Sequence, residues 1–217
     1  MTTSLTRTKT SNPLILIAAN AYLRKKLNAQ VIPMKDYDVI NSEFSRPKLL
    51  HFHLQKDEKN RLLSEVKNLV HDDISPNNIL LVTTSNMTQK SLKLLIESNL
   101  EVPCSCLDNK NIQRTAGHIA ICTLAFLHEF NLNAPYVFIS DIHLQAASEK
   151  QFHNDYENEQ DLIMKNARQL TIAMSRAQQE LTLLITSDEV PPEFTSPHFH
   201  IPNNESDVKA DVRYLHA

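Results

Sequence analysis

The chain is predicted to fold as an α/β domain, a three-layer parallel sheet with helices on both faces. Three observations predict it. Short apolar runs of strand length alternate with amphipathic stretches of helix length. Some runs, such as Ile79 to Val82 (ILLV), are apolar throughout, as strands buried on both faces are. The length of 217 residues suits one ordinary domain of about 100–200 residues plus tails.

Residues 1–12 are polar and expected to be a disordered tail, and 13–187 form the domain. Residues 188–217, with four prolines and many polar residues, are expected to be an extended tail or a wrapping segment. The stretch 13–48 reads as a helix or as a strand–helix pair over Ile15 to Ala29, then a loop. Leu49 to Leu54 reads as a strand. Asp57 to Val70 follows as a helix, with Leu62, Leu63, Val66, Leu69 and Val70 at helical spacing. After Ile79 to Val82 comes a helix over Thr88 to Leu100, carrying Leu92, Leu95 and Ile96 on one face. Val102 to Leu107, His118 to Thr123 and Tyr136 to Ile139 read as strands. Asp161 to Ala177 reads as a long helix and Leu181 to Ile185 as a closing strand.

Composition excludes several classes. The chain has one glycine, Gly117, so neither G-x-x-x-x-G-K-[ST] nor G-x-G-x-x-G can occur, and it has no phosphate-cradling P-loop of its own. With 22 Lys+Arg against 25 Asp+Glu, the formal charge is −3 and there is no global basic footprint for nucleic acid. Charged residues at 22% and hydrophobic ones at 41% fit a soluble globular chain. No apolar run approaches about 18 residues, so no membrane span is expected. Leu14 to Ala19 is too short for a signal-peptide core. The three cysteines agree with a reducing compartment, and a cytoplasmic location is expected.

Two segments carry a more specific pattern. Asn166 to Ile185 reads NARQLTIAMSRAQQELTLLI, and Gly117 to Ile139 reads GHIAICTLAFLHEFNLNAPYVFI. The first resembles the last helicase motif of UvrD/Rep-type superfamily 1 helicases, R-x-L-Y-V-A-x-T-R-A before a strand. Arg168, Leu170, Ile172, Ala173, Ser175, Arg176 and Ala177 fill it, with Thr171 where the family has Tyr. The second resembles the preceding motif, a strand ending in T-x-H-x-x-K-G-L-E, through Thr123 and the apolar run at Tyr136. The resemblance spans about residues 45–187 and implies a RecA-like second motor domain.

That resemblance implies roles. Arg176 stands where the family places the arginine that reaches the γ-phosphate, a cation that stabilises charge on the transferring phosphoryl group. Thr123 stands near the backbone of single-stranded DNA. ATP and magnesium are implied only together with a partner chain that supplies the P-loop half. An ordinary alternative for Arg176 is a cation closing a helix end. The middle motif departs from the family. Counting forward from Thr123, the family's His, Lys, Gly and Glu fall on Ala125, His128, Glu129 and Asn131. Counting back from the Tyr136 strand, Lys, Gly and Glu fall on Phe130, Asn131 and Asn133. The chain alone is therefore expected not to hydrolyse ATP. A non-catalytic, helicase-like protein-interaction module is the competing reading.

The candidate nucleic-acid surface is the crevice lined by Thr83, Thr84, Ser85, Asn86 and Thr123. Hydroxyls and amides at strand ends hold phosphate oxygens without reading sequence. Lys90, Lys93, Lys110 and Arg114 are the cations expected nearby. Asp141 and His143 follow a strand and are either polar site residues or ordinary loop residues. The pairs His51/His53 and His198/His200 would make a metal site only if they met. The ordinary reading is an outer strand face and a loop. Cys104 and Cys106 are spaced too closely for a zinc knuckle.

Overall fold

In the computed structural model, residues 12–27, 44–143, 159–195 and 197–202 are described. Six strands form one sheet: β1 (Lys48–Phe52), β2 (Ile79–Thr83), β3 (Cys104–Cys106), β4 (Ile119–Thr123), β5 (Ala134–Ile139) and β6 (Ala177–Thr186). Their order is β1-β6-β5-β2-β4-β3, and every pairing is parallel. Parallel neighbours require crossovers, and the helices supply most of them. These are α1 (Pro13–Lys26), α2 (Gln55–His71), α3 (Asn86–Leu100), α4 (Leu124–Glu129) and α5 (Glu159–Met174). The three-layer α/β prediction is met.

The sheet separates two apolar layers. Leu62 and Val66 of α2 pack with Leu92 and Ile96 of α3 against Leu50, Leu81, Ile121, Phe138 and Leu184. On the other face, Ile15 and Tyr22 of α1, Leu127 of α4 and Leu170 and Met174 of α5 cover Leu80, Val82, Val137 and Leu183. Every residue of β2 and of β4 is buried. The uninterrupted apolar run is thus explained by cover on both sides.

Three elements differ from the sequence reading, each for a local reason. The uncertain 13–48 stretch begins with a single helix, α1, because Asn12 caps it. Asn12 Oδ1 accepts from the Leu14 amide at 3.0 Å, with Pro13 at the first helical position. Asn12, placed in the tail by the sequence, is fully buried. Its Nδ2 donates to the carbonyls of Ser45 and Gln179, both at 2.9 Å. The long helix ends at Met174 rather than Ala177. The Ser175 and Arg176 amides close its end on Thr171 and Ala173, and Ala177 instead pairs with Ala134 in the sheet. β6 is therefore much longer than Leu181 to Ile185.

The C-terminal segment wraps as far as it is described. A 3-10 turn at Pro192–Phe194 lays Phe194 on Tyr22 of α1, with ring centroids 4.9 Å apart. Phe199 meets Phe194 edge-on at 5.5 Å, and His200 bridges to Lys48 beside β1. Residues 1–11, including most of the expected N-terminal tail, lie outside the described residues, as do 203–217.

Phe194 is 2% exposed, so its removal leaves a cavity between α1 and the segment after β6. Phe194→Ala is expected to lose about 3 kcal/mol in urea unfolding, whereas Ile201→Ala, at a 39% exposed site, is expected to lose less than about 0.5 kcal/mol.

Candidate functional site

The carboxyl ends of β2 and β4 lie side by side, with Thr83 opposite Thr123 in register. From there the chain leaves in opposite directions. After β2 it enters α3 on one face, and after β4 it enters α4 on the other. Diverging connections between adjacent parallel strands open a crevice at the strand ends, where α/β folds bind ligands. Thr123 ends β4 at this edge, and Thr84 and Ser85 follow the end of β2 beside it.

Their hydroxyls are not equally available. Ser85 caps α3: its Oγ accepts from the Thr88 amide, and Thr88 Oγ1 in turn accepts from the Ser85 amide, both at 3.2 Å. Thr123 caps α4, its Oγ1 accepting from the Phe126 amide at 3.2 Å. Thr84 Oγ1 is shielded and has no hydrogen-bond partner among the described residues. Thr84 thus keeps an uncommitted but shielded hydroxyl, and the amino end of the fifteen-residue α3 lies at this edge. Lys90 and Lys93 belong to α3, whereas Arg114 does not join them. It sits ahead of β4, at the other end of the sheet, where its Nη1 donates to the Asn77 carbonyl at 2.6 Å.

Arg176 also lies at the opposite end from the crevice. It occupies the turn between α5 and β6, so it is not in the last turn of a helix. Its carbonyl accepts from the Ala134 amide at 3.0 Å, which ties the turn to the start of β5. Its Nη1 donates to Asn131 Oδ1, and its Nε is shielded without a partner among the described residues. Asn131 is the position on which the family's Glu falls in the forward register. Arg176 and Asn131 therefore touch, although 45 positions separate them.

A further cluster lies at the carboxyl ends of β5 and β6. Glu58, on α2, is 1% exposed. Its Oε1 accepts from the Asp141 amide at 2.8 Å, and its Oε2 accepts from the Thr186 hydroxyl. Asp141 is 3% exposed and holds φ at 59°, a left-handed conformation that non-glycine residues adopt at a cost. Gln55 Nε2 donates to Asp141 Oδ1 at 3.2 Å. His143 Nδ1 stands 3.6 Å from Glu58 Oε2, too far for a hydrogen bond. Burial pushes the Glu58 carboxyl above the ordinary carboxylate range, against the lowering effect of its two hydrogen bonds. Burial also pushes the His143 imidazole down, favouring its neutral form. Beside the cluster, a cleft of about 160 Å³ runs between α2 and α3, lined by Glu58, Leu62, Thr88, Ser91, Ser140 and Asp141.

Sequence reasoning reached Asp141 and His143 as alternatives but missed Glu58. A signal was present: Glu58, Leu62 and Val66 step by four along the buried stripe of α2, which places a carboxylate on the inward face. The two histidine pairs do not build a site. His51 Nε2 lies 2.8 Å from the Ser187 carbonyl and its ring meets His53 edge-on. His200 lies in the bridge beside Lys48. Among the described residues, the one group of three metal-ligating side chains is Glu58, Asp141 and His143, with ligand-type atoms within 4.8 Å of one another. Cys104 is buried in β3, its thiol pushed up to about 12, which agrees with a structural residue.

No protein-family model and no curated protein matches the sequence. Among solved structures, the chain is similar to the C-terminal domain of a possible DNA helicase from Lactobacillus plantarum WCFS1. The TM-score is 0.57 at 13% identity, covering 90% of this chain and 99% of that one. At this identity the likeness is one of fold. The protein has an α/β fold with a six-stranded parallel sheet, similar in fold to that helicase C-terminal domain. No described helix is long and apolar enough to cross a membrane.

Glu58→Ala strips the acceptor from two donors and is expected to lower stability by about 2–3 kcal/mol. Glu58→Gln keeps an acceptor for Asp141 and removes a charge that burial disfavours. The folded carboxyl lies above its ordinary value of 4.5, so its stabilising contribution is complete below that value and lost as pH rises through the folded one. In chelator-containing buffer, the Tm of Glu58→Gln is therefore expected to gain on the wild type as pH rises from about 4.5 to 8. A constant difference would contradict it.

Proposed function

We propose that this chain is the second RecA-like half of an ATP-driven motor on single-stranded DNA, active only with a partner chain that carries the P-loop and the magnesium site. The observation that carries the reading is the placement of Arg176. It matches the last helicase motif, stands in a turn rather than on a helix surface, and is oriented by Asn131 from the loop of the preceding motif. A guanidinium held on one side keeps its fork geometry for phosphate oxygens, and it stays charged at any working pH. In this role Arg176 stabilises the charge that develops on the γ-phosphoryl group bound by the partner.

The DNA contacts in this reading are Thr84, Ser85 and Thr123, with the amides of α3 facing the phosphodiester backbone. Such contacts position a strand without selecting its bases. Two hydroxyls of the three already cap helices and the third is shielded, so most of the grip falls to the α3 amides. That commitment of hydroxyls, with the loss of the family's Lys, Gly and Glu from the middle motif, favours the second reading. In it the domain is a binding module that docks on another protein and turns over nothing. Its cytoplasmic location is part of the same proposal.

The two readings separate in one experiment. The tagged chain is recovered from its native cells and its partners are identified by mass spectrometry. A stoichiometric P-loop protein whose DNA-stimulated ATP turnover requires this chain supports the motor. In that complex Arg176→Ala is expected to cut kcat by about a thousandfold while leaving assembly intact. Unchanged turnover in Arg176→Ala would end the arginine-finger assignment. Recovery only of proteins without a P-loop would favour the docking module.

A further inference from the structure

The geometry points to a divalent-cation site at the carboxyl ends of β5 and β6, in which Glu58, Asp141 and His143 hold one ion of the Mn²⁺ type. It is independent of the nucleotide edge at Arg176 and of the crevice between β2 and β4. It belongs to residues that no motif of the sequence marked.

Three features carry it. First, two carboxylates are almost wholly withdrawn from water, Glu58 at 1% and Asp141 at 3% exposure. No described Lys or Arg forms an ion pair with either. Carboxylates buried side by side without a cation are costly, and a bound cation relieves both together. Second, His143 adds a nitrogen ligand. Its Nδ1 is shielded from solvent, has no hydrogen-bond partner among the described residues and faces Glu58 Oε2 at 3.6 Å. That spacing is too long for a hydrogen bond. It is ordinary for two atoms sharing an ion, since ligands about 2.0–2.2 Å from a metal stand roughly 3–4.4 Å apart. All three ligand-type atoms lie within 4.8 Å of one another, so small rotations about the side-chain torsions close the set.

Third, the site has an open side. The cleft between α2 and α3 begins at Glu58 and Asp141 and continues past Ser140, Thr88 and Ser91. It gives room for the waters that complete six-fold coordination. The hydrogen bonds already present hold the ligands without exhausting them. Each Glu58 oxygen accepts one proton from the protein and keeps another acceptor direction. Gln55 steadies Asp141 from α2. Two carboxylates and one imidazole with open positions suit Mn²⁺. Mg²⁺ takes an all-oxygen shell more readily, and Ca²⁺ asks for more oxygens than the protein offers.

The test uses the full chain, freed of metal by chelator and titrated with MnCl₂ by calorimetry, with pulsed EPR on the complex. The expected result is one Mn²⁺ per chain and a nitrogen modulation from a coordinated imidazole. His143→Ala is expected to abolish that modulation and weaken binding by more than about tenfold. Asp141→Asn, which keeps the shape and tolerates the left-handed backbone, is expected to weaken binding similarly. His51→Ala is the control and should bind like the wild type. Both ligand variants should match the wild-type circular dichroism in chelator, which separates lost ligands from lost fold. No saturable binding up to about 1 mM Mn²⁺ would overturn the proposal. So would binding that survives His143→Ala and Asp141→Asn unchanged. Neither DNA nor a partner chain enters the measurement, so its outcome leaves the motor reading to be judged separately.

Discussion

Much of this molecule follows from two strands buried on both faces. β2 and β4 are buried along their whole length, on both faces and both edges. Their backbone groups have only neighbouring strands to bond to, and their side chains have only helices to pack on. Cover is therefore needed above and below. The chain supplies it by sending α3 to one side after β2 and α4 to the other after β4. The same divergence parts the two connections and opens the crevice where Thr84, Ser85 and Thr123 gather.

The sheet was legible because burial writes itself into composition. Ile79 to Val82 is apolar at every position, and Leu62, Val66, Leu92 and Ile96 repeat at helical spacing, so both patterns announce which surface they face. The end of α5 was less legible. Ser175, Arg176 and Ala177 extend a good helical pattern, and only the pairing of Ala177 with Ala134 turns the chain into a strand. Long-range pairing overrides local propensity there. The capping role of Asn12 was hidden for the same reason, because its Ser45 and Gln179 partners are distant in sequence.

The candidate sites divide in the same way. Arg176 could be found because a motif surrounds it. Its Asn131 partner was visible only as a position where a motif had decayed. Glu58 could not be assigned, since its partners Asp141 and Thr186 are 83 and 128 positions away and belong to different strand ends. A carboxylate in an apolar stripe is a local inconsistency, and such inconsistencies collect where a protein does something other than fold. The fold thus carries three polar centres: the crevice at β2 and β4, the Arg176 turn, and the Glu58 cluster. The first and third share the carboxyl edge of the sheet, and the second stands at its amino edge.

One pairing governs how the chain must be born. β1 lies at the rim of the sheet, and its sheet neighbour is β6, with Lys48 opposite Thr182. Among the described strands, the first in the chain pairs with the last. At roughly 10 residues per second, a nascent chain holds β1 without its mate for on the order of ten seconds. During that time Leu49 and Leu50, both buried in the finished sheet, have no native strand beside them. Among the described strands every pairing is parallel, so none is joined to its neighbour by a hairpin, and closure of β1 on β6 is a long-range event. The polar His51 and His53 at the end of this segment, and the charge-rich Gln55 to Arg61 stretch after it, break up the apolar run of Leu49 and Leu50.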